Sequence, residues 1–487
     1  MKLLKVSQLK SKISVNVLLG LLLSSALVPS KSFGTSIDWK GGYRFEFVEI
    51  DKPSLTKPSL HKSYGLNYLY LAPRVVASDG INIVSRFDIF GAQDPYANSY
   101  LGSQWGKGND SSTNNSKSNS LGQSPAGSAI RVSQLYLNVA QENASLILGR
   151  APFEFGIGMN YSSGEGLFDH WNNNRDQIAY KILINNLTLM PFFARHADDG
   201  FQQGSYTQDE GLLVQYDNKD TGSLIGVMLE RRKATPATND ITTDTTVDAG
   251  AIGDSKSGDL NIQRTNFILG RDWDSFGFRL EAGFLSGELG VLKGDQSVKA
   301  NGYGVATELN FKTDSNWNYV LKMGIASGDN PDTNDYEGFF FDRNYDVAFL
   351  LFNHRLGSYD VLRTGAIKSY KNAAGANIGV GNSLDDEAIS NAFYVSPVVK
   401  YRWNEKLDFN QYFTWAQLVT SPLASNGASK ELGFEWDLEF VYKAREKMQW
   451  VNQVGLLFPG ASFKSDSVVG SDNSFTYGLS SKISIQF

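Results

Sequence analysis

The sequence has no cysteine, only four histidines and, after its first 34 residues, no long apolar run. The absence of cysteine excludes disulfides, thiolate metal sites and a lipid-anchored lipoprotein. No later segment reaches the roughly 18 uninterrupted apolar residues that a transmembrane helix needs. If the chain lies in a membrane, it must therefore cross with strands, which satisfy every backbone group only in a closed barrel.

The first 34 residues have the organisation of a cleaved export signal. Lysines up to Lys12 precede an apolar run over about 13–28, and small residues follow at Ser30, Ser32 and Gly34. A permanent anchor is disfavoured because the run is short and carries polar residues. Cleavage near Ser32 or Gly34 would remove five lysines and no acid, which takes the net charge from −6 to −11. Nucleic acid is then an improbable partner.

The remainder of the chain, 35–487, is predicted to be one barrel domain because no linker divides it. Aromatic residues make up 13% of the chain, which also contains 47 glycines and 13 prolines. This composition fits strands, aromatic girdles and turns rather than helices. The segment 432–443 shows the alternation most clearly, with Leu432, Phe434 and Trp436 predicted on the outer face and Glu435 and Asp437 on the wet face.

Short turns and long connections alternate along the chain. Asp79-Gly80 and Asn185-Asn186 are typical of tight hairpins, whereas 91–128 and 233–259 are long polar loops. The fold predicted is all-β: a transmembrane, antiparallel, up-and-down β-barrel of about eighteen strands, or sixteen, with short periplasmic turns and long extracellular loops. A soluble double sheet or a propeller also contains many consecutive strands. A random series of hairpins, however, would not alternate short turns with long connections along the whole chain.

The last strand, 475–487, alternates apolar and polar residues and ends on Phe487. It resembles the final strand of bacterial outer-membrane barrels, in which a terminal aromatic is part of the assembly signal. The resemblance implies a Gram-negative outer membrane as the location. It also implies outer-membrane lipid and, through Phe487, the barrel assembly machinery as partners.

Charged residues on the wet faces are predicted to line the lumen, because a barrel of 16 to 18 strands leaves an aqueous channel. Both signs occur, and such residues could set ion preference, although each could also be an ordinary solvated side chain. The predicted set is Arg44, Glu46, Arg86, Asp88, Lys181, Arg279, Glu281, Glu308, Lys322, Lys400, Arg402, Glu435, Asp437, Glu439 and Lys482.

The connection 327–390 combines acids with the apolar run 347–352. An exposed run of this kind would be a sticky patch, so we predict that the loop folds inward, or acts as a lid, and narrows the pore. The predicted constriction residues are Asp329, Arg343, Asp346 and Arg355. The acids of this loop match no fixed calcium-loop spacing, and neither a metal nor a cofactor is predicted.

Three scattered motifs resemble the alginate-export and related substrate-specific channel families. They are Gly149-Arg150 followed by a glycine-rich loop with Trp171 and Arg175-Asp176, the Ser-Gly-Asp at 327–329, and the Leu-Gly-Phe-Glu-Trp-Asp at 432–437. The resemblance implies an eighteen-stranded barrel narrowed by inward loops that passes a polyanionic polysaccharide. Here the predicted lumen mixes acids with bases, which argues against a polyanion.

The sequence therefore predicts a porin-like channel for passive diffusion of small hydrophilic solutes. An oligosaccharide or polysaccharide export channel and a non-conducting adhesion barrel remain alternatives. Catalysis is disfavoured because no nucleophile elbow and no metal-binding helix motif occurs. Asp/His catalysis at the rim would need His170 or His196, each of which has an aspartate nearby in the sequence.

Overall fold

The computed structural model describes residues 36–53, 55, 61–89, 102–103, 130–195, 206–235, 260–293, 296–313, 315–330, 332–354, 356, 388–421, 429–464 and 473–487. The predicted signal segment 1–34, most of the loop 91–128, the loop residues 236–259, His196 and Arg355 lie outside this description. In the described ranges no helix is long and apolar enough to cross a membrane.

Eighteen long strands form the wall. The first nine are β1 (Ser36–Ile50), β2 (Lys62–Ser78), β3 (Ile81–Ile89), β4 (Ile130–Ala140), β5 (Ala144–Pro152), β6 (Asn174–Ile184), β7 (Leu187–Arg195), β8 (Tyr206–Asn218) and β9 (Ser223–Thr235). The others are β10 (Leu260–Asp272), β11 (Phe276–Lys293), β12 (Tyr303–Lys312), β13 (Trp317–Ala326), β14 (Ala392–Asn404), β15 (Leu407–Leu418), β16 (Glu431–Arg445), β17 (Met448–Pro459) and β18 (Thr476–Gln486).

Each strand pairs antiparallel with the next, and β18 pairs with β1 in a register that runs from Gly42 opposite Gln486 to Ile50 opposite Gly478. This last pairing closes the sheet, so no edge strand is left with unpaired backbone groups. Two short strands lie outside the ring: Gly102–Ser103 pairs with β2, and Gln296–Ala300 pairs with the end of β11. The prediction of an eighteen-stranded antiparallel barrel is confirmed.

The turns explain why the hairpins form where they do. Gly80 has a φ of 74° and Asn185 a φ of 52°, the left-handed conformations that two-residue hairpins need and that Gly and Asn tolerate. These turns join β2 to β3 and β6 to β7, as the sequence predicts. All short turns lie at one end of the barrel and all long connections at the other, because consecutive strands are antiparallel.

The exterior is apolar and carries aromatic residues near both ends. Leu229, in the middle of β9, is 49% exposed although it faces away from the lumen, which is stable only against lipid. At the short-turn end the exposed outward aromatics include Trp39, Tyr216, Phe311, Trp317, Trp403, Tyr442 and Trp450. At the long-loop end they include Phe193, Phe284, Tyr303, Trp415, Phe434, Phe458 and Phe475. The wall therefore has two aromatic girdles.

One prediction for the wall is wrong. Leu432 was expected outside with Phe434, but it is fully buried on the inner side. The strand carries a β-bulge there: Ala416 pairs with Gly433 and Gln417 with Glu431, which leaves Leu432 as the extra residue. Gly433 has a φ of 111°, a conformation that favours glycine. On the N-terminal side of the bulge, the inward and outward positions of the strand are therefore exchanged, which places Leu432 inside.

Candidate functional site

Two connections fold into the barrel and pack against its inner wall. We call residues 153–173 the crossing loop and residues 336–354 the packing loop. The crossing loop contacts Arg44 on β1 and Glu281 on β11, strands that lie about half the ring apart. It therefore reaches from one side of the lumen to the other.

Glu281 holds the crossing loop on one wall. Its carboxylate accepts hydrogen bonds from the backbone N–H of Ile157 (2.8 Å), Met159 (3.2 Å) and Asn160 (2.9 Å) and from the Asn160 side-chain amide (2.7 Å). Gly156 passes so close that a Cβ atom there would lie 2.4 Å from the Glu281 Oε2 atom. Four donors compensate the buried carboxylate, so Glu281 works as an anchor.

The opposite wall binds the crossing loop through charges. The Arg44 guanidinium donates to the carbonyl of Asp169 at 2.8 Å and pairs with Glu46 at 2.6 Å. Glu46 also contacts the Nε2 atom of His170 at 2.8 Å, and the Lys482 amine lies 3.9 Å from its other oxygen. The carboxylate is 1% exposed. His170, the histidine considered above for catalysis, is thus part of a structural network.

The packing loop covers the wall formed by β12 to β16. Glu435 accepts the backbone N–H of Leu350 (2.6 Å) and Leu351 (2.7 Å), and Asp437 accepts that of Phe349 (3.0 Å). Both carboxylates are completely buried, although the sequence suggested that they meet water. Backbone N–H groups of the loop replace water as hydrogen-bond donors to these buried carboxyl oxygens.

The apolar run 347–352 is buried in this contact. Its side chains belong to the larger of two apolar clusters, together with Phe341, Tyr394, Leu418, Leu432 and Leu457. The smaller cluster packs Phe153, Phe155 and Tyr161 of the crossing loop against β6 to β10. The apolar core of the molecule is therefore inside the barrel, between the two loops and the wall.

The two loops are also bound to each other. The Asn344 side-chain oxygen accepts the backbone N–H groups of His170 and Trp171, each at 3.2 Å, and the Arg343 guanidinium lies 4.1 Å from the centre of the Trp171 ring. Asp342 accepts the N–H groups of Ser162 (3.1 Å) and Asn344 (2.9 Å) and the side-chain amide of Asn173. Burial raises the pKa of Asp342 to about 6.

Comparison with solved structures identifies this architecture. A BenF-like porin from Pseudomonas fluorescens Pf-5 is 10% identical, with a TM-score of 0.50 over 93% of this chain and 98% of the other. OccK2 (OpdF) of Pseudomonas aeruginosa is 10% identical, with a TM-score of 0.49 over 93% and 99%. The fold is that of the outer-membrane porins. A closed barrel with an apolar exterior and two aromatic girdles is the architecture with which proteins cross the bacterial outer membrane. No family model and no curated protein matches the sequence.

The remaining predicted lumen residues of this porin-like barrel form pairs on its inner wall. Arg86 pairs with Asp88 (3.0 Å), Glu308 with Lys322 (3.3 Å), Arg279 with Asp272 (2.5 Å) and Arg402 with Asp408 (3.7 Å). The Glu439 carboxylate accepts hydrogen bonds from the side chains of Asn410 and Tyr412. Lys181 and Lys400 are exposed. The Asp329 carboxylate accepts the backbone N–H of Glu337 at 3.0 Å. Lys322 donates to the carbonyl of Asp346 at 3.2 Å. The arrangement brings β12, β13 and the packing loop together.

Burial separates the predicted acids from the predicted bases. Of the seven acids, five are at most 1% exposed: Glu46, Asp88, Glu281, Glu435 and Asp437. Of the eight bases, only Arg44 and Arg86 are buried, and Arg402 is 67% exposed. Most of the predicted carboxylates are therefore buried in the structure, whereas most of the predicted cations are at least partly exposed.

Sequence reasoning missed one inward cluster. The guanidinium of Arg175 lies 3.8 Å from the ring centre of Phe153 and 4.4 Å from that of Tyr161, and 3.3 Å from the carboxylate of Glu230. Arg264 donates to the Tyr161 hydroxyl at 2.6 Å, and burial raises the pKa of that hydroxyl. The adjacent charges Arg175 and Asp176 indicate that one of the two faces the lumen. Because β6, β8 and β9 carry charges on both faces, the sequence does not show which one. In the described residues no group of three or more His, Asp or Glu side chains could hold a metal ion.

Proposed function

We propose that the chain is a porin that lets small hydrophilic solutes diffuse passively across the outer membrane, with a preference for anions. The observation that carries the proposal is the uneven burial of lumen charges. Lys181, Lys322, Lys400, Arg402 and Lys482 stay accessible, while most of the acids are covered. Accessible cations on a pore wall attract anions and repel cations.

The inward loops support small solutes as cargo. The crossing loop reaches across the lumen, and the packing loop covers the inner wall of five neighbouring strands. We infer that the two loops narrow the pore and that Arg343 and Asp346 lie at the constriction. A loop that spans the bore argues against export of a polymer, because a polymer needs a continuous wide path.

Liposome swelling tests this function directly. Purified protein in vesicles should admit a small sugar acid faster than a neutral sugar of the same size, and the neutral sugar faster than an amino sugar. An oligosaccharide should enter far more slowly than any of the three. The variant Lys322→Gln/Lys400→Gln tests the role of the accessible lysines. It should reduce the ratio of the entry rate of the sugar acid to that of the neutral sugar, and entry of the neutral sugar, the internal control, should not change. Vesicles that do not swell with any solute would contradict transport.

A further inference from the structure

The outer wall carries a charged ladder where apolar or aromatic side chains are expected. It consists of Arg150, Asp176, Arg195, Glu210, Arg231 and Lys233, on five neighbouring strands from β5 to β9. The register aligns it: Arg150 lies opposite Asp176, Asp176 opposite Arg195, and Glu210 opposite Arg231. Between β7 and β8 the row steps by two residues, because Arg195 lies opposite Gln208 and Glu210 opposite Phe193. The six side chains therefore form a stepped row.

These side chains point outward. Asp176 and Arg195 share a face with Ile178 and Phe193, which are exposed, whereas Arg175 and Ala194, on the other face of the same strands, are buried. Arg231 likewise follows the exposed Leu229, and Glu230 beside it is buried on the inner side. The ladder is therefore on the wall that meets lipid.

The ladder lies at the long-loop end. Arg150 is followed by the crossing loop, Arg195 by the connection 196–205 and Lys233 by the connection 236–259. At the same end, β11, β12 and β15 to β17 carry outward aromatics such as Phe284, Tyr303 and Trp415. Over β5 to β9 the outward side chains at this end include the charged ladder as well as the exposed aromatic Phe193.

The ladder has an excess of positive charge. Arg150 binds Asp176 through two hydrogen bonds of 2.7 Å, and Glu210 lies 2.8 Å from Lys233 and 3.8 Å from Arg231. The ladder thus contains four cations and two carboxylates. Charges on the lipid face are costly at the bilayer midplane and nearly free at the interface, so this row must lie at headgroup level.

We propose that the charged ladder binds the phosphorylated headgroup of lipid A in the outer leaflet. Guanidinium groups match phosphate oxygens bidentately, and the carboxylates hold the arginines extended along the wall. Five strands at a spacing of about 4.8 Å give a row of roughly 19 Å. The exposed apolar side chains below the row, such as Leu229 and Ile178, would contact the acyl chains. The proposal rests on the outer-membrane location and not on transport.

Native mass spectrometry of the refolded full-length barrel with added diphosphoryl lipid A tests the proposal. The wild-type protein should retain at least one lipid A molecule, and the variant Arg150→Gln/Arg195→Gln/Arg231→Gln/Lys233→Gln should retain at least about tenfold less. The matched control removes four exposed cations at the short-turn end, Lys219, Lys406, Arg445 and Lys447, each to Gln, and should bind as the wild type does.

Dephosphorylated lipid A on the wild-type barrel gives a second readout that needs no variant. It should bind at least about tenfold more weakly than the diphosphoryl form. Equal binding of the two lipids, or equal retention by the ladder variant and the wild type, would overturn the proposal. So would a change of oligomeric state in the ladder variant with unchanged lipid retention, which would identify the row as a contact between copies of the chain.

Discussion

At the scale of single residues, buried carboxylates act as anchors for the loops inside the barrel. Glu281, Glu435 and Asp437 accept backbone N–H groups from segments far away in the chain. Such hydrogen bonds stabilise by about 0.5–3 kcal/mol each, depending on the charge of the acceptor. A few such acceptors are therefore enough to hold a loop that has little regular structure of its own.

Replacing Glu281 tests this anchoring. In Glu281→Gln one acceptor oxygen becomes a donor that faces N–H groups, so the crossing loop should be destabilised by about 2 kcal/mol. We expect faster hydrogen exchange in residues 157–160 and a higher, noisier single-channel conductance. The control Glu405→Gln, at an exposed short turn, should leave both measurements unchanged. Wild-type exchange in Glu281→Gln would contradict the anchor.

Asp342 makes the contact between the two loops depend on pH. Its pKa in the folded protein is about 6, above the ordinary value of 3.8, because the carboxyl group is buried. The folded state therefore binds the proton more tightly than the open state, and the contact should weaken as the pH rises from about 4 to about 6. Hydrogen exchange of residues 162 and 344 should be slower, relative to unfolded reference peptides, at pH 4 than at pH 7.

Two variants distinguish the contribution of Asp342 to this pH dependence from that of other titratable groups. Asp342→Asn should lose most of the pH dependence of this protection. Glu154→Gln, which changes an exposed acid of the same crossing loop, should retain it. A pH dependence that persists unchanged in Asp342→Asn would assign the effect to a different group.

At the scale of elements, the packing loop is a layer of apolar side chains fixed to the inner wall by two acids of β16. In Glu435→Gln/Asp437→Asn the loop should detach, because the amides cannot accept all three N–H groups without opposing donors. We expect a larger single-channel conductance with little change in reversal potential, because these acids do not meet the lumen water. A conductance equal to that of the wild type would contradict the role given to the loop.

Closure of the barrel depends on the pairing of β18 with β1. The N–H of Gly41 donates to the carbonyl of Phe487 at 2.9 Å, and the N–H of Phe487 donates back at 3.0 Å. The Phe487 ring fills the space over Gly41, where a Cβ atom would lie 2.4 Å from it. Phe487→Ala should lower the heat-modifiable, folded fraction of refolded protein several-fold, whereas Phe487→Tyr should fold as the wild type does. Equal folding of Phe487→Ala would show that this contact is dispensable.

At the scale of the whole molecule, alternation and turn chemistry were sufficient to predict the wall. The period-two pattern of 432–443 and the tight turns at Gly80 and Asn185 each reflect local physics, so the antiparallel order and a strand number of eighteen or sixteen follow from the sequence, and the structure has eighteen. The bulge at Gly433 was missed because one extra residue leaves the apolar pattern almost intact while it turns Leu432 inward.

The interior could be predicted only in part. Alternation assigns Glu46, Glu281 and Glu435 to the inner face, but it cannot tell whether that face meets water or a loop. This depends on contacts between residues more than 80 positions apart, such as Leu351 with Glu435. The predicted mixture of lumen charges is therefore present on the wall, while the accessible part of it is biased toward cations.

The most direct test of the proposed anion-preferring channel is the reversal potential of the wild-type protein in a planar bilayer under a KCl gradient. Because most of the accessible charges among the predicted lumen residues are positive, discrete open levels should appear with a reversal potential of the sign that chloride preference gives. A barrel that is folded but never conducts, or one whose reversal potential has the sign of potassium preference, would contradict it.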